Sequence, residues 1–189
     1  LADREGITSF KAYLTYDDRL DDGALFQVLR QAKEDGIVIP AHCENDGVVN
    51  YLRGWYKAQG LTQPIYHARS RPARCEAEAV SRLLHLAAMA GEAPVYVVHL
   101  SSAAGLAEVR KARAQRQKGV GVETCTQYLT LTEAAYADPQ EGLKAVMSPP
   151  LRTQADCDAL WQGLQDGVID AVATDHCPFR FAVEKQFGA

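Results

Sequence analysis

No Cys-x-x-Cys occurs in these 189 residues, and the five cysteines (Cys43, Cys75, Cys125, Cys157 and Cys177) are scattered and odd in number. That arrangement argues against a thiolate zinc site and offers no disulfide framework. Reduced thiols in a cytoplasmic protein are the expectation. No apolar run approaches the roughly 20 residues of a membrane span. The opening Leu-Ala-Asp-Arg-Glu-Gly lacks the apolar core of a signal peptide. It also lacks an initiator Met, so sequence ahead of Leu1 is expected. Positive charge is not in excess: 20 Lys and Arg against 24 Asp and Glu give −4. That balance leaves no electrostatic footprint for nucleic acid or an anionic membrane. The one basic cluster (Arg110, Lys111, Arg113, Arg116 and Lys118) lies on a helix-like stretch and reads as a solvated face. Repeats and low-complexity tracts are absent.

What is present suits one folded domain, with 47% apolar residues. Short apolar runs alternate with helix-like stretches. Strands are expected at 7–14, 37–43, 95–100, 120–124 and 168–174, and helices at 22–35, 75–90, 103–117 and 153–166. Leu25, Val28, Leu29 and Ala32 form the apolar stripe of the first helix, and Gly36 supplies its left-handed stop. Thr153-Gln-Ala-Asp156 is a capping-box pattern. Pro40 is a blemish in its strand, because proline removes a ladder donor. The connection 44–74 places Val48, Leu52, Trp55 and Tyr56 at helical spacing and ends in a polar, turn-like stretch, 66–72. The connection 125–150 ends in Met147-Ser-Pro-Pro150, which proline makes extended or turned. Five strands and four intervening helices imply a parallel sheet with helices outside it. A closed eight-stranded barrel needs about 250 residues, so this chain reads as part of one. An open doubly wound sheet fits the length better but gives no reason for where the polar residues fall.

Those residues are Lys11, His42, His99 and Asp175, each placed where an apolar run stops. At the carboxyl ends of barrel strands, neighbouring side chains converge on one bowl. Taken singly, each has a plain reading: a hydrogen-bonded histidine, a capping aspartate, a lysine reaching solvent. Taken together, a lysine, two imidazoles and a carboxylate make a metal site. A lysine whose neutral amine captures carbon dioxide becomes an anionic bidentate ligand able to bridge two cations. Tyr16, five residues past Lys11, can donate to a developing oxyanion or be an ordinary half-buried tyrosine. Ser101 and Ser102 read as helix caps. His67 and His85 read as structural or exposed, and His176 as pointing away from Asp175.

As an ordered set, the segments resemble the hydantoinase/dihydropyrimidinase family of cyclic amidohydrolases. The set is Ser9-Phe-Lys11-Ala-Tyr-Leu-Thr-Tyr16, His42-Cys-Glu-Asn45, Tyr66-His-Ala-Arg-Ser-Arg-Pro72, Cys75-Glu-Ala-Glu-Ala79, Val98-His-Leu-Ser101, Glu123-Thr-Cys-Thr-Gln-Tyr-Leu129, Met147-Ser-Pro-Pro-Leu-Arg152 and Ala173-Thr-Asp-His-Cys-Pro178. Tyr13-Leu-Thr-Tyr16 and the Glu-Thr-Cys segment look most like its phenylhydantoinase branch. The resemblance implies an α/β fold, a TIM-type barrel incomplete in this chain. Residues 1–189 would be its central and C-terminal part, about five β/α units, with upstream strands and a downstream segment missing. It implies two divalent ions, usually zinc, bridged by carboxylated Lys11. His42 and His99 would hold one ion, and Asp175 would bind the other and shuttle a proton. Tyr16 would stabilise the oxyanion, and Ser148 would bind the ring through its backbone. The implied reaction is the hydrolysis of a hydantoin or dihydropyrimidine ring to an N-carbamoyl amino acid, by a cytoplasmic homo-oligomer, typically a homotetramer. Nucleic acid and membrane are not among the expected partners. The family's His-x-His pair on the first strand is absent here, as is its downstream ring-binding Asn segment, and Thr126 stands where proline is common. This piece alone would therefore hold at most one ion well and is expected to be inactive. A non-catalytic dihydropyrimidinase-like scaffold, and an allantoinase- or dihydroorotase-type hydrolase, are the alternatives.

Overall fold

The computed structural model describes residues 2–187. After a single helical turn, α1 (Ala2–Glu5), the order is β1 (Ala12–Tyr13), α2 (Asp22–Asp35), β2 (Ile39–His42), α3 (Asp46–Ala58), α4 (Pro64–Arg69), α5 (Ala73–Met89), β3 (Val95–Val97), α6 (Ala103–Ala114), β4 (Val120–Cys125), α7 (Thr126–Thr130), α8 (Gln154–Gln165) and β5 (Ala171–Ala173). Three 3₁₀ turns, Glu133–Tyr136, Glu141–Ala145 and Glu184–Phe187, complete the chain.

All five strands are parallel and lie side by side in sequence order, β1-β2-β3-β4-β5. A doubly wound sheet reverses its strand order at a switch point. This sheet never reverses, so it is an arc of a TIM-type barrel, and the open-sheet alternative is set aside. Right-handed crossovers between successive strands then carry α2, α5, α6 and α8 to one face. Ile39, Ala41, Val95, Val97 and Val122 point towards that face and are buried with Leu25 and Leu29 of α2, Leu83 and Leu84 of α5, Leu106 and Val109 of α6, and Leu160 of α8. The alternate positions, Pro40, Tyr96 and Gly121, face the other side and are only partly covered. Gly121 pairs with Tyr96, and a Cβ at Gly121 would fall 2.4 Å from Tyr96 Cδ2, so only glycine lets the ring lie across the neighbouring strand.

Helix α2 spans the expected residues. Asp21 accepts from Ala24 N at 2.8 Å, and Gly36 closes the helix at φ 66. Helix α8 carries the full capping box between Thr153 and Asp156. Several expected boundaries shift. The first strand is regular only at Ala12–Tyr13, with an isolated bridge at Ser9. Val38 N donates to Thr8 O and Leu14 N to His42 O on either side of the gap. Pro40 sits between them and has no N–H to continue the ladder. The third strand ends at Val97 rather than Leu100, and the fifth covers only Ala171–Ala173 of the expected 168–174. The turn-like stretch 66–72 is largely helical: Pro64 starts α4, which runs to Arg69. The basic cluster is more than a solvated face, since Arg110 pairs with Asp166 and Arg113 with Asp170, tying α6 to α8 and to the turn before β5. Among the described residues, no helix is long and apolar enough to cross a membrane.

Candidate metal centre

His42 is the last residue of β2, and His99 follows β3 by two residues. Both are buried. Their rings meet nearly edge to face, centroids 4.6 Å apart, and the Tyr16 ring lies 5.1 Å from His42. Parallel pairing of β2 with β3 brings the two strand ends side by side. Tyr16 reaches them through a tight turn: its backbone N–H donates to Asp46 Oδ1 at 3.2 Å and its carbonyl accepts from Arg19 at 3.0 Å. Among the described residues five non-glycine positions have positive φ, and three of them are Tyr16 (76°), His99 (40°) and Asp175 (47°). Such backbone costs about 1–3 kcal/mol each and gathers where surrounding structure must aim a side chain.

Lys11 is exposed, its Nζ 5.2 Å from the Tyr13 ring centre. It lies ahead of β1 rather than at the far end of that strand, and takes the plain reading of a lysine reaching solvent. Its charge nonetheless reaches His99. Burial first, with the neighbouring His42 ring and the Lys11 charge behind it, holds the His99 imidazole well below its ordinary pKa and keeps it neutral. Asp175 is exposed and acts on the buried Cys125 thiol at the end of β4. Burial first, then this charge, push that thiol up to about 12. Ser148 lies near enough to the Tyr16 phenol to draw its pKa down, and its Oγ lies 3.4 Å from His67 Nε2. Burial and the Glu44 charge outweigh that pull and raise the Tyr16 pKa, so the phenol stays protonated at neutral pH. His85 is exposed, as expected. His67 is structural: Nε2 lies 2.8 Å from Met147 O and fastens α4 to the segment that carries Ser148.

Beneath the imidazoles lies a frame of buried charges that the sequence did not single out. Glu44 Oε2 accepts from His42 Nε2 at 2.8 Å and from Arg71 Nη1 at 3.4 Å. Burial pushes Glu44 up, but the His42 bond and the Arg71 guanidinium prevail, so its carboxyl lies below the ordinary range. Glu76, on α5, accepts from the backbone N–H and hydroxyl of Ser101 at 2.9 and 2.8 Å and from the Ser102 hydroxyl. Ser102 also caps α6 through Gly105 N, so its expected capping role is one of two. Arg152 donates to Ser101 Oγ at 3.1 Å and to the Arg71 carbonyl. The signal was present as glutamates next to strand ends and helix starts, but which were buried depended on packing.

Among the described residues, no three His, Cys, Asp or Glu side chains gather closely enough to hold a metal ion. The donor set of His42, His99 and Lys11 includes a lysine, and it fits a first ion in kind. It has two adjacent buried imidazoles, and His99 Nδ1 is a buried polar atom with no hydrogen-bond partner among the described residues. Neutral imidazole suits zinc and similar borderline ions.

No protein-family model matches the chain. D-phenylhydantoinase from Escherichia coli O81 (strain ED1a) is 50% identical over 182 residues, 96% of this chain and 39% of that protein. The structure of dihydropyrimidinase from Brevibacillus agri NCHU1002 superposes with a TM-score of 0.95 at 43% identity, covering 99% of this chain and 41% of that one. D-hydantoinase from Bacillus sp. AR9 gives 0.94 at 41% identity, over 97% and 41%. The chain thus spans about two fifths of the length of the curated relatives it matches.

Proposed function

The chain belongs to the hydantoinase/dihydropyrimidinase family of cyclic amidohydrolases, and from that premise we propose that the parent protein opens hydantoin or dihydropyrimidine rings by hydrolysis to an N-carbamoyl amino acid. Residues 1–189 are read as the central and C-terminal part of its catalytic barrel, in keeping with the share of the relatives' length they span. The observation that carries the reading is the buried imidazole pair with the unpartnered His99 Nδ1, set beside Tyr16 and within charge reach of Lys11.

In this reading His42, His99 and Lys11, carboxylated, would hold a divalent ion, zinc by resemblance, and Lys11 and Asp175 would help hold a second. Bound there, such ions lower the pKa of water and polarise a carbonyl. The chain's own residues do the rest. Asp175 accepts the proton of the attacking water and returns it to the leaving ring nitrogen. The Tyr16 phenol, held protonated, donates to the oxyanion that forms on the ring carbonyl. The Ser148 backbone binds the ring, on the segment that His67 fastens to α4. A carbamate forms only on a neutral amine, a state that desolvation favours, and Lys11 is exposed among the described residues. We therefore assign that desolvation to the remainder of the barrel. Five free cysteines agree with a reducing, cytoplasmic setting, and a homo-oligomer, by resemblance a tetramer, is the assembly we expect.

The test is Lys11→Ala in the full-length parent protein, followed by metal content and hydrolysis of hydantoin and dihydrouracil. Lys11 belongs to no core cluster among the described residues, so the fold of this part should persist. Turnover and bound metal should both fall by at least about tenfold, the scale on which lost ligand support is felt. Undiminished hydrolysis would rule the mechanism out.

A further inference from the structure

Glu44 lies two residues beyond His42 with its side chain fully buried. A carboxylate in such a place is costly unless definite partners hold it. It has two, His42 Nε2 at 2.8 Å and Arg71 Nη1 at 3.4 Å, both on Oε2. A charged carboxylate only accepts hydrogen bonds, so the His42 nitrogen that faces it must carry the proton. A neutral imidazole protonated at Nε2 keeps its lone pair on Nδ1. Arg71 is itself held in place, because Arg152 donates to its carbonyl from the segment before α8. The carboxylate that faces His42 is therefore locked by two distant parts of the chain rather than by its own strand.

We propose that Glu44 is the positioning residue for His42, fixing the ring as the Nε2–H tautomer so that Nδ1 alone is offered to an ion. The inference rests on the metal-centre reading above and adds to it a residue outside the ligand set. Its rival is that Glu44 merely neutralises a buried arginine, in which case the His42 tautomer would be indifferent to it.

The experiment uses the full-length protein labelled with nitrogen-15 at histidine and stripped of metal, with tautomers read by NMR. His42 should be protonated at Nε2 and not at Nδ1. A Nδ1–H or doubly protonated ring at neutral pH overturns the proposal, and this readout needs no variant to fold. Glu44→Gln, which keeps the shape and removes the charge, is then compared for zinc affinity by competition with a chromophoric chelator. Affinity should weaken about 10- to 100-fold while circular dichroism is unchanged. Unaltered affinity overturns the proposal. Glu76→Gln is the control: this glutamate is equally buried but touches Ser101 and Ser102, so the His42 tautomer should stay as in the wild type. If the control shifts that tautomer too, the effect is general loosening and the proposal fails. Wild-type protein that takes up no zinc overturns the metal-centre reading together with the ligand role of His42, whereas the wrong tautomer overturns only the positioning by Glu44.

Discussion

His67 shows how one side chain ties the site to pH. Burial first, then the Arg71 charge, lower its pKa to about 4. The folded value lies below the ordinary 6.5, so the unfolded chain binds the proton more readily. Stability is therefore complete above about pH 6.5 and declines as pH falls towards 4. The loss is on the order of 3 kcal/mol at the low end. Urea denaturation at pH 7 and pH 5 should show the decline, and His67→Gln should flatten the part due to this residue. Equal slopes in both proteins would remove His67 from the account. Its partners explain why it reads as structural in the sequence and is so in the fold. The bond to Met147 O joins positions 80 residues apart, and no local pattern announces it. Glu44, Glu76, Arg71 and Arg152 escaped notice for the same reason. Their types are ordinary surface residues, and only burial gives them their role.

At the scale of elements, local chemistry decides most boundaries. Thr153 and Asp156 cap α8 reciprocally. Thr153→Ala should cost about 1 kcal/mol of stability, measured by chemical denaturation, with the site's ligand rings undisturbed. No change would mean that packing of α8 on α7, rather than its cap, sets its start. The misplaced boundaries have equally local causes once the partner strand is known. Pro40 interrupts the ladder to the first strand, which shortens β1. Strand β3 ends before His99 because that residue adopts φ 40. The stretch 66–72 has the composition of a turn, yet Pro64 at the first helical position and buried Ala68 make it a helix. Composition described those residues; tertiary burial of one face settled their state.

For the whole molecule, the sheet is an arc with two open edges among the described residues, β1 and β5. Val172 of β5 is 46% exposed, and Ile7 and Phe10 ahead of β1 are 41% and 37% exposed. Unpaired parallel edges flanked by apolar side chains invite pairing with another chain. The 189-residue chain prepared alone should therefore self-associate, seen as concentration-dependent sedimentation. A monomer up to about 0.1 mM would show that the edges are better protected than their exposure suggests. The order of strands and helices, the capping signals and the placing of His42 and His99 at the ends of β2 and β3 were legible in the residues themselves, because periodicity, glycine stops and caps act over a few positions, whereas Lys11 falls ahead of β1 rather than at its far end. Three things depended on the folded chain: the unreversed strand order that selects a barrel arc, the meeting of His42 with His99 and Tyr16, and the buried glutamate–arginine frame under them. Each arises between segments tens of residues apart, where register and burial, not local preference, set which atoms touch.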